Sequence, residues 1–344
     1  MKVAVRILGP FPPPFGGVAL HVIRLLEGLR SRGVSAQGYS LGGLPAGIDY
    51  VRKLSAQFFL SRTLVHYHTD EGNHRWLRLF SFFWRMTRTP YIVTVHSFRD
   101  RKEFANPRIL RQLVRAFKHA KAVITISNET SLELERRLSF RHNHSRVIPS
   151  ALPLSIWERD AQLKESIGFD WQRSPIRILA NAGRIVSYNG KDLYGLDILL
   201  EAFAGISDTD VALCLAIGGI ADENLWNSIK LKADLDKRVT VLHGLEMPLT
   251  PFVKHTHIVA RPTRTEGGPS LTLSEALELG KWAIGSDSVQ RPSGVVLFRN
   301  DDVVDLRKAL SKCILDVRGQ VKPPFVHISN DTIDRILNIY RRFQ

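Results

Sequence analysis

The chain has 344 residues, 44% of them hydrophobic, and a formal charge of +15. That length leaves room for two ordinary domains, that apolar fraction excludes a disordered chain, and no stretch is long enough for a membrane-spanning helix. The charge is lopsided: residues 1–165 hold 26 Lys/Arg against 12 Asp/Glu, whereas residues 166–344 hold 22 against 21. A basic first half points to an anionic partner, namely a phospholipid surface, a lipid-linked phosphate or nucleic acid, with general solubility as the plain alternative. Cys214 and Cys313 both lie in apolar stretches and are expected to be buried thiols, which fits a cytoplasmic setting.

Strands alternate with helices throughout, the pattern of an α/β chain with parallel sheets. Met1–Gly9 is too short for a signal peptide and reads as a first strand, Val3–Leu8. Val18, His21, Val22, Leu25, Leu26 and Leu29 then make one apolar helix face, ended by Gly33. Further strands are expected at Thr63–Tyr67, Tyr91–Val95, Ala122–Ile126 and Arg146–Ile148, and a hinge within 149–175. The second half restarts the rhythm, with strands at Arg177–Ala180, Ala212–Ile217, Val239–Leu242, Ile258–Ala260 and Trp282–Gly285 and a helix at Leu196–Ala204. Ser329–Phe343 reads as a closing helix, with Ile333, Ile336, Leu337 and Tyr340 on one face. The expected domains are 1–165 and 166–325, two Rossmann-like doubly wound units facing a cleft, and a C-terminal helix 326–344 able to cross back to the first domain. Open α/β sheets bind ligands outside the carboxyl ends of their strands.

Most chemistry-bearing residues fall at such ends. Gly16-Gly17 follows the first strand and opens a helix, where close backbone approach and free N–H groups favour an anion. His66, His68 and His74, with Asp70 and Glu71, are expected at or just after the end of the next strand. They have metal-ligand chemistry but neither a Cys nor a helical i,i+4 His pair, so polar cleft lining or ordinary surface are the other readings. His96 ends the strand Tyr91–Val95, where it can bond a substrate hydroxyl or serve as a capped structural residue. Arg75–Arg88 is aromatic and basic, with Trp76, Phe80, Phe83 and Trp84 at helical spacing among arginines. It suits either a helix in a membrane interface or a core helix with snorkelling arginines. Arg184 follows a strand, and Lys191 lies seven residues on; the two suit a pyrophosphate. The run Arg261–Gly280 joins a short strand, a turn carrying Glu266, Gly267 and Gly268, and an apolar-periodic helix. The turn offers N–H groups to phosphate, and the carboxylates accept from ribose or hexose hydroxyls, a combination found together on a nucleotide-sugar.

Over nearly its whole length the chain resembles the GT-B glycosyltransferases of the large retaining family 4. The resemblance is carried by Gly16-Gly17 with His21, Thr94-Val-His96, Ala122–Ser127, Gly183-Arg184 with Leu199–Ala202, His243-Gly244, and Arg261–Gly280 with Glu266 and Glu275. It implies the fold class α/β with two Rossmann-like domains (GT-B), a nucleotide-sugar as co-substrate and no cofactor or metal. It implies that Glu275 holds the ribose. Glu266 and the backbone of Gly267, Gly268, Pro269 and Ser270 would meet the transferred sugar and phosphate, with Gly16 and Gly17 also at the donor. Arg184 and Lys191 would neutralise the leaving diphosphate, and His96 would touch the donor sugar. Two features depart from the pattern: Glu266 and Glu275 are one residue further apart than the family spaces them, and Lys191 sits in a longer link.

The expected activity is retaining transfer of a sugar to a saccharide or lipid-linked saccharide in bacterial surface polysaccharide synthesis. The protein would be cytoplasmic or peripheral at an anionic inner membrane face, without a nucleic-acid partner. The alternatives are a nucleotide-sugar epimerase on the same fold, or a non-catalytic membrane- or polyanion-binding relative.

Overall fold

The computed structural model describes every residue except 1, 2, 14, 46, 47, 61, 70–73, 99–103, 105, 165, 166, 168, 245, 246, 330 and 344, and every side chain among them except those of 57, 60 and 169. The chain divides into two compact units, residues 1–155 with 329–344, and residues 156–328. The break lies inside the expected hinge span but ahead of the 165/166 boundary.

Unit 1 runs β1 (Ala4–Gly9), α1 (Gly17–Arg30), β2 (Ser35–Ser40), β3 (Val51–Lys53), α2 (Gln57–Leu60), β4 (Leu64–Thr69), α3 (His74–Met86), β5 (Tyr91–Val95), α4 (Pro107–His119), β6 (Ala122–Thr125), α5 (Asn128–Leu138) and β7 (Ser145–Val147). Its seven strands pair in parallel in the order β3-β2-β1-β4-β5-β6-β7, so the sheet changes its direction of growth between β1 and β4. β2 has no hydrophobic period because its buried positions are Ala36, Gly38 and Ser40. A Cβ on Gly38 would stand 2.8 Å from both Leu26 Cδ2 and Phe11 Cζ, so helix and loop press directly on the strand. β4 extends past the expected end at Tyr67 because the polar His66-Tyr-His-Thr stretch is wholly buried between neighbours. His66 and His68 therefore lie within the strand, not beyond its end. Asp70 and Glu71 fall outside the described residues.

Unit 2 runs α6 (Ile156–Asp160), α7 (Phe169–Arg173), β8 (Ile176–Ala182), the small hairpin β9 (Ser187–Tyr188) and β10 (Lys191–Asp192), α8 (Leu196–Ala204), β11 (Val211–Ile217), α9 (Glu223–Asp234), β12 (Val239–His243), α10 (Thr250–His255), β13 (Ile258–Arg261), α11 (Leu271–Glu278), β14 (Trp282–Ser286), β15 (Val296–Phe298) and α12 (Val303–Arg318). Six parallel strands follow the order β12-β11-β8-β13-β14-β15, the doubly wound 3-2-1-4-5-6 sequence, with the switch between β8 and β13. Apolar clusters cover both faces of this sheet: one is built on Ile178, Ala180 and Leu213, the other on Leu179, Cys214 and Val259. The alternation of β8 and β11 residues between the two clusters is the period of two that a doubly covered strand requires. Cys214 and Cys313 are both buried and unbridged.

The last helix, α13 (Asp331–Arg342), returns to unit 1, burying Ile333, Ile336, Leu337 and Tyr340. It lies against α1 where Gly28 makes room, since a Cβ there would come 2.2 Å from Ile333 Cδ1.

Candidate functional site

The switch point of unit 2 is assembled from glycine turns. Gly183-Arg184 follows β8, and Gly218-Gly219 follows β11. A Cβ on Gly218 would meet the Gly183 carbonyl oxygen at 2.7 Å, so the two turns pack backbone on backbone. Gly218 N–H donates to Ala182 O at 2.9 Å and Ile185 N–H to Gly219 O at 2.9 Å, which locks this floor. The Arg184 side chain rises from it exposed. On the other side of the switch, β13 ends in Arg261 and the chain turns through Pro262–Pro269 into α11. Ser270 caps that helix, accepting from Leu273 N–H at 3.5 Å, while its carbonyl accepts from Ser274 Oγ at 3.1 Å. Glu275, one turn further on, is 3% exposed.

Glu266 does not stand free in the turn. Arg261 grips Oε1 through Nε at 2.9 Å and Nη2 at 2.7 Å, and Arg291 Nη1 binds Oε2. Burial pushes the Glu266 carboxyl up, but the two guanidiniums outweigh it and hold the group below the usual carboxylate range. Arg261 also reaches across the switch to Asn181 O at 2.9 Å and lies over the Tyr194 ring at 4.8 Å. Arg291 is fixed in turn by Ser286 O at 2.9 Å. The turn is thus braced by two arginines that no periodicity in the sequence singles out.

Lys191 sits on the β9–β10 hairpin, and its Nζ pairs with Asp301 Oδ2 at 2.5 Å. Asp301 also takes Arg264, which binds Asp197 Oδ1 at 2.8 Å. Beside Lys191 in β10, Asp192 accepts from Tyr194 N–H at 3.2 Å and from Leu196 N–H, the first of α8, at 2.6 Å. Burial raises its carboxyl to about 6 against those hydrogen bonds. Arg184 is therefore an exposed cation at the strand end, whereas Lys191 has a carboxylate on its ammonium.

In unit 1 the carboxyl ends of β1, β4 and β5 gather imidazoles. His68 Nδ1 and His96 Nε2 are 3.2 Å apart, and the His21 ring meets that of His96 edge-on, centroids 4.7 Å apart. His21 Nδ1 lies 3.0 Å from the Ser150 carbonyl, which can only accept, so Nδ1 carries the proton and Nε2 the lone pair. That His21 Nε2 is buried without a partner among the described residues, as is His68 Nε2. Burial pushes His21 down to about 4, against the Ser150 hydrogen bond and with Arg24 adding to it, and pushes His68 and His96 well below the ordinary imidazole range, where the neighbouring rings add to it. One ring nitrogen from each of the three lies within 4.8 Å of the others, a spacing from which a soft divalent ion could be held.

His66 does not join this group's open side. Its Nδ1 meets Tyr340 Oη at 2.5 Å and its Nε2 meets Thr94 Oγ1 at 2.7 Å, so both nitrogens are occupied. His74 opens α3, 3.5 Å from Thr69 Oγ1. The expected His66–His68–His74 grouping is replaced by His21–His68–His96, because Tyr340 and Thr94 occupy both nitrogens of His66 and His74 packs by Thr69, Phe98 and Phe104 instead. Gly16 caps α1 in extended conformation with no side chain bonding the helix end, and Gly17 begins the helix exposed.

A sequence model of the family "Glycosyl transferases group 1" matches residues 177–316, which contain the whole switch point of unit 2. No curated protein sequence matches significantly. Among solved structures, Anabaena Alr3699/HepE in complex with UDP and glucose superposes with a TM-score of 0.69 at 16% identity, covering 99% of this chain and 98% of that one. A glycosyltransferase from Rickettsia africae gives 0.66 at 13% identity with coverage of 99% and 98%. WaaG, a glycosyltransferase of lipopolysaccharide biosynthesis, gives 0.61 at 11% identity with coverage of 98% and 94%. At such identities these likenesses establish the fold, which is that of GT-B enzymes. By sequence, residues 177–316 match the group 1 glycosyltransferases, and the chain as a whole has the fold of GT-B enzymes.

Proposed function

We propose that the protein is a retaining transferase that takes a sugar from a nucleotide-sugar bound on unit 2. The observation that carries the reading is the glycine-floored switch point with exposed Arg184 on one side and the Ser270-capped helix on the other. A diphosphate there meets a guanidinium and backbone N–H groups together. Arg184 takes the leaving diphosphate charge, with Lys191 as a weaker second cation, so the reaction needs no resident metal or cofactor. Glu275 accepts from the ribose hydroxyls. The backbone of Gly267, Gly268, Pro269 and Ser270 lines the phosphate and sugar, and Glu266 holds that backbone in shape through Arg261 and Arg291.

At unit 1, His96 with His21 and His68 offers neutral imidazoles to sugar hydroxyls, and Gly16-Gly17 leaves the α1 N-terminus open. No side chain in either group is placed as a strong general base at neutral pH. That fits front-face chemistry in which the leaving phosphate oxygen takes the acceptor proton. We further propose a saccharide or lipid-linked acceptor in surface polysaccharide synthesis, with the protein peripheral to the cytoplasmic membrane face. No helix among the described residues is long and apolar enough to cross a membrane.

A thermal-shift screen against UDP-, GDP- and ADP-sugars tests the donor reading. UDP-sugars come first because HepE was solved with UDP-glucose. The expected result is stabilisation by one nucleotide family, lost in Arg184→Ala and Glu275→Ala. Full stabilisation in both variants would remove the assignment. Product analysis with and without saccharide acceptors then separates transfer from acceptor-free isomerisation.

A further inference from the structure

Helices α3 and α4 pack side by side and carry three arginines and four cations respectively, with no Asp or Glu on either. Their inner faces are core: Leu77, Phe80 and Trp84 on α3, and Leu113 and Phe117 on α4, are buried. The outer faces are not an ordinary polar surface. Leu79 is 44% exposed, Phe82 55% and Met86 71%, all on the side of α3 that also presents Arg75 and Arg85. Between the helices lies a groove of about 390 Å³ lined by Arg75, Arg78, Leu79, Phe82, Arg85 and Arg115. Arg78 Nη1 donates to Gln112 Oε1 at 2.9 Å, tying the two walls together. Among the described residues no carboxylate pairs with Arg75, Arg78, Arg85 or Arg115. His119, beside the groove, is held below its ordinary range by burial and then by Arg85, Lys118 and Arg115, a sign of uncompensated positive field.

We propose that this face docks on an anionic phospholipid bilayer, with lipid phosphates entering the arginine groove and Phe82, Leu79 and Met86 entering the acyl boundary. The pairing of exposed apolar side chains with cations on one face is what an interfacial surface needs. Apolar burial and attraction to negative headgroups act together there. A polar protein partner would leave the aromatics unmatched, and a purely apolar one would bury four guanidiniums that no carboxylate compensates. The inference rests on the reading of a lipid-linked acceptor for its biological sense, but its test involves no sugar transfer and stands or falls independently.

Co-sedimentation of the full chain with phosphatidylcholine vesicles, with and without phosphatidylglycerol, reads the docking directly. Binding is expected only to the phosphatidylglycerol vesicles and should weaken as salt rises. Arg75→Glu with Arg115→Glu should lower the partition coefficient at least tenfold. Phe82→Ser with Met86→Ser should lower it several-fold even at low salt. All four sites are solvent-facing, and circular dichroism with thermal melting of each double variant must match the parent for the comparison to count; the two pairs are independent routes to that condition. Equal binding to both vesicle types, or anionic-vesicle binding unchanged in both folded variants, would overturn the proposal. Binding to zwitterionic vesicles that appears only when a polyprenyl diphosphate is included would also overturn it, since the groove would then be an acceptor site.

Discussion

Arg261 holds the Glu266 carboxylate by two hydrogen bonds, at 2.9 and 2.7 Å, so the glutamate at the heart of the motif is a brace before it is a ligand. With Arg291 on the other oxygen, all three charges are buried or nearly so. Removing the carboxylate leaves two guanidiniums uncompensated. Glu266→Ala is therefore expected to destabilise unit 2 by roughly 3–5 kcal/mol, as for other broken buried pairs. Glu275→Gln should instead weaken nucleotide binding with a much smaller loss of stability. Chemical denaturation and nucleotide titration of both variants check this, and equal destabilisation would refute the division of roles.

The two cations expected at the leaving diphosphate are not equivalent. Arg184 is exposed above a glycine floor, whereas Lys191 has its charge met by Asp301 at 2.5 Å. Loss of a transition-state charge partner in a water-poor site costs on the order of 10²-fold in rate. Arg184→Ala should show about that loss in kcat/KM. Lys191→Ala should lose less than about tenfold, because a pre-paired exposed ammonium has little left to give. Steady-state kinetics of the two variants with the donor found by the screen decides it. A larger loss at Lys191 would reverse the assignment.

Five of the six strands in the sheet of unit 2 were legible because they are continuous apolar runs between turn residues, the three-residue edge strand β15 being too short to stand out, and Leu196–Ala204 matched α8 to the residue. In unit 1, β2 was not legible, since Ala36, Gly38 and Ser40 fill its buried positions and carry no hydrophobic signal. Of the candidate site, the positions of Arg184 and His96 at strand ends were legible from short motifs, whereas the capping role of the Ser270 side chain at α11 was not. What could not be read is pairing across sequence distance. Nothing local links Arg291 to Glu266, Asp301 to Lys191, or Ser150 to His21, because those contacts arise only once the sheet order brings separate loops together.

Acidification should weaken unit 1. His21 is lowered to about 4 and His66 to about 3, while His68 and His96 are also lowered, all first through burial. In the unfolded chain the same groups titrate near about 6.5. Above that pH both states are neutral and no stability is lost. Between about 6.5 and 4 the unfolded chain takes up protons the folded one refuses, so stability falls as pH drops. Asp192, raised to about 6, works in the opposite direction over part of this window, but it is a single group in the other unit. Urea unfolding followed at about pH 7.5 and about pH 5 should show a clear drop for unit 1, shallower in His66→Gln. A flat profile would mean the imidazoles take up protons as readily in the fold as in the unfolded chain.

Tyr340 carries the last prediction. Its hydroxyl lies 2.5 Å from His66 Nδ1, and the ring is wholly buried where α13 closes over unit 1. His66 Nε2 is taken by Thr94, so the imidazole spans the strand β5 and the closing helix. Tyr340→Phe keeps the packing but leaves His66 Nδ1 buried without its partner, a cost of roughly 1–3 kcal/mol. Deleting residues 331–344 should cost far more, because the apolar face of α1 around Gly28 would lose Ile333, Ile336 and Leu337 as cover. Neither change touches the switch point of unit 2, so the nucleotide affinity of Tyr340→Phe should equal that of the parent. Melting curves and a nucleotide titration on the same sample test both halves at once. A weakened nucleotide affinity with an unchanged melting temperature would show that Tyr340 serves ligand binding and not closure of unit 1.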